Sequence, residues 1–155
     1  MSAAYQKAVQ LLASRPHFRW ELKRKLAART FPAEEIEAAL DRLTAEGYLD
    51  DRKAAESLIT SRLSRGEGRL RLAAELARRG ADPEAAAAAL DALLPEDDLP
   101  AARAAAARWA GRDGERGGNP AALVRHLARK GFSRRAIVQL SREAGNETAG
   151  EGDDE

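Results

Sequence analysis

A unit of about fifty residues occurs three times in this chain. Its first copy is clearest as Glu21-Leu22-Lys23-Arg24-Lys25-Leu26-Ala27-Ala28-Arg29-Thr30-Phe31. The second reads Leu72-Ala73-Ala74-Glu75-Leu76-Ala77-Arg78-Arg79-Gly80-Ala81, and the third Leu123-Val124-Arg125-His126-Leu127-Ala128-Arg129-Lys130-Gly131-Phe132. Aligning Leu22, Leu72 and Leu123 gives spacings of 50 and 51 residues. Each copy carries a leucine pair at i, i+4, then basic residues, then a turn four residues after the second leucine. A fixed period of this length predicts stacked supersecondary units rather than one globular core. Stacked units make extended surfaces, so the pattern argues first for a binding protein.

Composition sets the material of those units. Apolar residues make up 44% of the 155, but many are alanine and only 5% are aromatic. The core is therefore expected to be thin and made by close helix packing. Arg, Ala, Leu and Glu all favour helix. The chain has no cysteine, which excludes disulfides and thiolate zinc sites. No apolar run approaches the roughly 20 residues that span a bilayer. Gln6 and Lys7 interrupt any signal-peptide pattern. The expected compartment is the cytoplasm, with no membrane partner.

Net charge is +1, but its distribution is uneven. Residues 143–155 hold six acids (Glu143, Glu147, Glu151, Asp153, Asp154, Glu155) and no Lys or Arg, which leaves +7 on residues 1–142. A basic body suits a polyanion or an acidic partner. The tail either competes for that body or serves only solubility.

Helical spacing organises the rest. Residues 4–14 form one helix, broken at Arg15-Pro16-His17, and residues 18–29 the next. Pro32 opens a third over residues 33–46, with Ile36, Ala39, Leu40 and Leu43 on one face and Gly47 as its stop. The second unit opens at Asp50-Asp51, either of which suits an N-cap. Its helices run to about Leu63, over residues 69–79, and from Asp82-Pro83-Glu84 to Leu94. The third unit starts near Asp98 and reaches Trp109-Ala110. A loose loop is expected at 111–119, then helices over 120–130 and from Ser133 to about Ala144. The glycines and acids beyond read as disordered. No segment has the alternation of a strand. The expected fold is all-α, with three tandem three-helix repeats (4–49, 50–96 and 97–144) and an acidic tail at 145–155.

Catalytic chemistry has no candidate set. The two histidines, His17 and His126, have no evident dyad partner and no metal-ligand spacing. His17 reads as a solvated turn residue. His126 lies between Arg125 and Arg129 and reads as a solvated residue, with a phosphate or partner contact as the alternative. Gly66-Glu67-Gly68 lacks the preceding strand of a nucleotide fingerprint, and Gly111–Gly118 lacks the Lys-Ser/Thr ending of a P-loop. The acid pairs Asp50-Asp51 and Asp97-Asp98 sit at helix starts, where the macrodipole explains them. Phe18, Trp20 and Trp109 are expected in the core, with a role as stacking platforms for bases as the alternative. No cofactor, no metal and no enzyme activity are expected.

Basic residues remain. Around the second helix of the second unit stand Arg62, Arg65, Arg69, Arg71, Arg78 and Arg79. The third unit offers Arg125, Arg129 and Lys130, followed by Arg134 and Arg135, and the first Lys23, Arg24, Lys25 and Arg29. Equivalent positions in stacked repeats could align into a stripe that follows an extended polyanion. Against this, Glu21–Lys25, Glu67–Arg71 and Glu75–Arg79 are i, i+4 pairs of the kind that only stabilise helices, by about 0.2–0.5 kcal/mol each.

Several stretches together resemble the RecX family of bacterial regulators of the RecA recombinase. They are Arg15 with Glu21-Leu22 and Leu26, then Gly47-Tyr48-Leu49-Asp50-Asp51, then Gly68, Arg71, Glu75-Leu76 and Gly80, then Lys130-Gly131-Phe132. The resemblance covers about residues 4–144. The family usually has a serine cap where Phe18 stands, an aromatic where Ala54 stands, and a basic-Gly pair where Arg29-Thr30 stands. The resemblance implies an elongated, curved, non-enzymatic array of three-helix repeats that binds along RecA–single-stranded-DNA filaments, and a monomer is expected. It would usually inhibit strand exchange and the coupled ATPase, in homologous recombination, DNA repair and the SOS response. DNA, single- or double-stranded, would be met directly or through the filament. The alternatives are a stand-alone DNA-binding protein of helix-turn-helix-like repeats and a helical adaptor for a protein partner. The nine bases Arg62, Arg65, Arg69, Arg71, Arg78, Arg79, Arg125, Arg129 and Lys130 are the expected contacts with the partner or with DNA.

Overall fold

The computed structural model describes residues 1–113 and 119–150, and every regular element among them is an α-helix. In order these are α1 (Ala3–Ser14), α2 (Arg19–Ala27), α3 (Ala33–Ala45), α4 (Asp51–Leu63), α5 (Arg69–Arg78), α6 (Pro83–Leu93), α7 (Leu99–Asp113), α8 (Pro120–Lys130) and α9 (Arg134–Gly150). The chain divides into two compact units, residues 1–60 with 73–93 and residues 61–72 with 94–155.

In the first unit α1, α2 and α3 pack on one another around Tyr5, Leu22, Leu26, Ile36, Leu40, Leu43 and Leu49, with Ala4, Ala8 and Ala39 at the close approaches. In the second, α7, α8 and α9 enclose Leu123, Leu127, Phe132 and Leu140 with Ala102, Ala105 and Ala136. The alanines let helices approach closely, which is how an aromatic-poor sequence makes a core. The six repeat leucines are all inside: Leu22, Leu26, Leu72, Leu76 and Leu127 are fully buried and Leu123 is 7% exposed. Truncating one of them to Ala would remove about 2–5 kcal/mol.

Local capping explains the boundaries. The Phe18 side chain has no acceptor, so Glu21 takes the Phe18 N–H at 3.2 Å and Asp51 takes the Arg19 N–H at 2.8 Å. The missing serine of the first unit is thereby replaced by two carboxylates. At α4, Asp50 does the capping, accepting from Arg52 and Lys53 N–H. Asp51 is left to join two helix starts, since its other oxygen accepts from Asp82 N–H at 2.9 Å. Asp82 caps α6 through Ala85 N–H, and Ser133 caps α9 through Ala136 N–H. The turn after the second repeat leucine is left-handed each time, at Thr30 (φ 62°), Gly80 (φ 76°) and Gly131 (φ 87°). Only the first copy uses a residue that strains there.

Four expectations are corrected. His17 is buried, not solvated: it is 2% exposed, with Nδ1 2.9 Å from the Arg15 carbonyl and Nε2 2.8 Å from Lys25 Nζ. The turn folds back onto α2, and the ring finds two partners there. Trp20, expected in the core, is 45% exposed. One part of its ring lies against Gly80, and Arg24 sits 4.7 Å above it. α7 continues to Asp113, and α9 continues to Gly150, six residues past the expected end at Ala144. Residues 145–150 are thus helical, and residues 114–118 and 151–155, expected as loop and disordered tail, lie outside the described residues.

Candidate nucleic-acid interface

The basic residues of the second unit are organised from α8. Asn119 caps it, accepting from Ala121 and Ala122 N–H. Leu123 and Leu127 face inward, which turns Arg125 and Arg129 outward, and both are exposed. The helix ends at Gly131, where a Cβ would stand 2.3 Å from Arg71 N. The absent side chain lets α5 begin directly against this turn. Gly68 N–H donates to the Lys130 carbonyl at 2.6 Å and Leu70 N–H to the Gly131 carbonyl at 3.0 Å. Arg71 Nη1 then reaches the Arg129 carbonyl at 3.1 Å, and Lys130 Nζ reaches the Arg65 carbonyl at 3.1 Å. Backbone contacts therefore bring Arg65, Arg71, Arg129 and Lys130 together.

Not all of this charge faces outward. Glu67 is buried, with Arg62 Nη1 at 3.3 Å and Arg71 Nε at 3.6 Å from its Oε1. Those two arginines are partly neutralised by it. Arg69 is half-buried, beside a second cavity of about 200 Å³ with Leu63, Leu94 and Phe132. In the first unit Arg78 is exposed and paired with Glu75 at 2.5 Å. Arg79 is held by Glu21 at 3.1 Å and lies over the Phe18 ring, which makes it a packing residue.

The structure adds Arg108 and Arg112, which the sequence reading did not place among the contacts. Arg65 and Lys130 line a cleft of about 140 Å³ whose other walls are Arg108 and Arg112 of α7 and the rings of Trp109 and His126. Among the described residues no carboxylate lines it. Trp109 and His126 stack, ring centroids 5.2 Å apart and planes 17° from parallel, and both are half-buried. His126 is therefore a packed ring and not the solvated one expected. The i, i+4 spacing of Arg108 with Arg112 and of His126 with Lys130 was the available signal. Among the described residues no group of three or more His, Asp or Glu side chains could hold a metal ion, and no helix is long and apolar enough to cross a membrane.

Residues 4–43 match the family model described as the first three-helix domain of RecX, and residues 50–90 match that of the second. The chain is 40% identical over 127 residues to the regulatory protein RecX of Chromohalobacter salexigens, a match that covers 81% of this chain and 82% of that one. It is 46% identical over 88 residues to the regulatory protein RecX of Xanthomonas axonopodis pv. citri, covering 57% of this chain and 54% of that one. Among solved structures, RecX from Lactobacillus salivarius superposes with a TM-score of 0.69 at 23% identity, over 92% of this chain and 94% of that one. A second structure of a regulatory protein RecX gives 0.75 at 21% identity, over 90% and 71%. At such identities the structural likeness speaks for the fold alone.

Proposed function

This chain belongs to the RecX family, and from that premise we propose that it is a non-enzymatic regulator of a RecA-type recombinase in the cytoplasm. It docks along the recombinase–single-stranded-DNA filament and damps strand exchange and the coupled ATPase. The 40% identity to a regulatory protein along 82% of that protein's length is the observation that carries the reading. The basic residues support it. Arg125 and Arg129 stand exposed on one face of α8, and Arg71 and Arg78 are seven residues apart on α5. Many weak contacts along a repetitive filament add through avidity, so no single deep site is needed.

The test is RecA-driven strand exchange with the wild type and with Arg71→Glu/Arg78→Glu. Arg71→Glu also breaks the pair with the buried Glu67, so circular dichroism first establishes that the variant folds, and the folded variant should lose most of its inhibition. Arg103→Glu is the control. Arg103 pairs with Glu143 at 2.5 Å, away from the basic cleft that Arg108 lines. Full inhibition by the α5 variant would remove that helix from the contact surface. No effect of the wild type on the recombinase, joined to tight salt-sensitive DNA binding, would leave a stand-alone DNA-binding protein instead.

A further inference from the structure

We propose that the cleft between α7 and α8 in the second unit is a binding site for one nucleotide of single-stranded nucleic acid. The phosphate lies among Arg65, Arg108, Arg112 and Lys130, and the base stacks on the Trp109–His126 pair. This deepens the proposed function, since a filament carries such a strand, but the site needs no recombinase to act.

Charge is the first reason. Four cationic side chains line about 140 Å³, and among the described residues no carboxylate joins them. Like charges held this close repel, and an anion placed between them relieves that. Arg108 reaches the cleft across Gly66, which is left-handed at φ 68° and carries no Cβ; the Arg108 Nη2 lies 2.5 Å from where one would stand. Lys130 is fixed by its bond to the Arg65 carbonyl. The guanidinium fork and the ammonium suit phosphate oxygens.

The second reason is the aromatic wall. Trp109 and His126 are close to parallel and neither is fully covered. A stacked pair offers a flat face, and every base has a π-face to match it. In a duplex both faces of each base are already stacked, so this wall selects an unpaired base. Size is the third reason. Pockets that enclose a whole small molecule run to roughly 300–1,000 Å³. A cleft of about 140 Å³ takes one group of a longer ligand rather than a free metabolite.

Trp20 and Trp109 are the only tryptophans, so Trp20→Phe leaves Trp109 as the sole reporter. The experiment titrates this full-length variant with a short oligothymidylate, without recombinase, at low salt. Trp109 fluorescence should quench to saturation. Adding Arg108→Gln and Arg112→Gln should weaken binding about tenfold and lower the salt slope by roughly 0.7 per lost contact. Arg112→Gln alone, an exposed position, serves if the double change fails to fold. An abasic strand should bind without quenching and more weakly, and inorganic phosphate should compete only at high concentration. The proposal is overturned if the oligomer binds without quenching, if duplex quenches equally, if the arginine variants bind like the parent, or if nothing binds. None of those outcomes bears on the strand-exchange test, which stands or falls alone.

Discussion

Arg79 donates to the carboxylate of Glu21, 58 residues earlier in the chain, at 3.1 Å. Arg15 reaches the other oxygen at 2.8 Å, and the Phe18 N–H completes the set. Burial alone would raise the Glu21 carboxyl, but these bonds outweigh it and hold it at about 2, well below its ordinary 4.5. The group therefore contributes stability that is complete above about pH 4.5 and is lost as pH falls toward 2. The contribution is about 2 kcal/mol after allowance for screening. Glu21→Gln should lower the unfolding free energy measured in urea by that much at pH 7, and the gap to wild type should close between about pH 4.5 and 2. A gap that stays constant over this range would mean that the pair contributes nothing through its charge.

Glycine positions should separate by what stands beside them. Gly131→Ala puts a Cβ 2.3 Å from backbone N of Arg71, at φ 87°. Gly47→Ala meets nothing within 4 Å, at φ 78°. The second change should lose about 1 kcal/mol, the left-handed penalty alone. The first should lose about 3 kcal/mol or more, because α5 has to move off α8. Thr30→Gly runs the other way and should gain up to about 1 kcal/mol, since it relieves φ 62° on a β-branched residue. Thermal unfolding of the three variants checks the order.

The fold was legible because its signal is local and repeated. A leucine pair and a basic turn recur at a fixed distance, and each acts on the few residues around it. The site was less legible because it is made at long range. Nothing near Gly66 says that Arg108 will lie on it, and nothing near Trp109 names His126 as its partner. Arg79 misled for the same reason. From its spacing it reads as an i, i+4 partner of Glu75, but the tertiary fold gives it to Glu21 and Phe18. His17 followed a proline, a good sign of a turn but no sign of exposure. The extension of α9 to Gly150 went unread because glycines and acids lower helix propensity without forbidding helix.

His17 should make stability sensitive to mild acid. Burial first, then the charges of Arg15 and Lys25, lower its pKa, against an opposing bond to the Arg15 carbonyl. The neutral ring donates from Nδ1 to that carbonyl and accepts from the Lys25 ammonium at Nε2. Protonation removes the acceptor and sets two cations face to face. The folded pKa is depressed, so this contribution is present above about pH 6.5 and lost as pH falls through the folded value. Ring resonances followed by NMR should show His17 titrating below about 6.5, and the stability gap between wild type and His17→Gln should narrow on acidification. A titration above 6.5 would refute the buried, lysine-bonded ring.

The acidic C-terminus should restrain DNA binding by its charge. Since α9 runs to Gly150, a cut after Ala144 would remove helix as well as acids and confuse the two. Ending the chain at Gly150 takes away Glu151, Asp153, Asp154 and Glu155 and leaves α9 whole. Those four charges lie on the same chain as a body of net +7, so their local concentration is high whatever their path. They should compete weakly with an incoming strand. The truncated protein should keep its helical circular dichroism and bind a short oligothymidylate roughly two- to fivefold tighter at low salt, with the difference vanishing near 0.5 M as exposed charges are screened. Tighter binding that persists at high salt would point to a steric block, and unchanged binding would leave the acids a role in solubility alone.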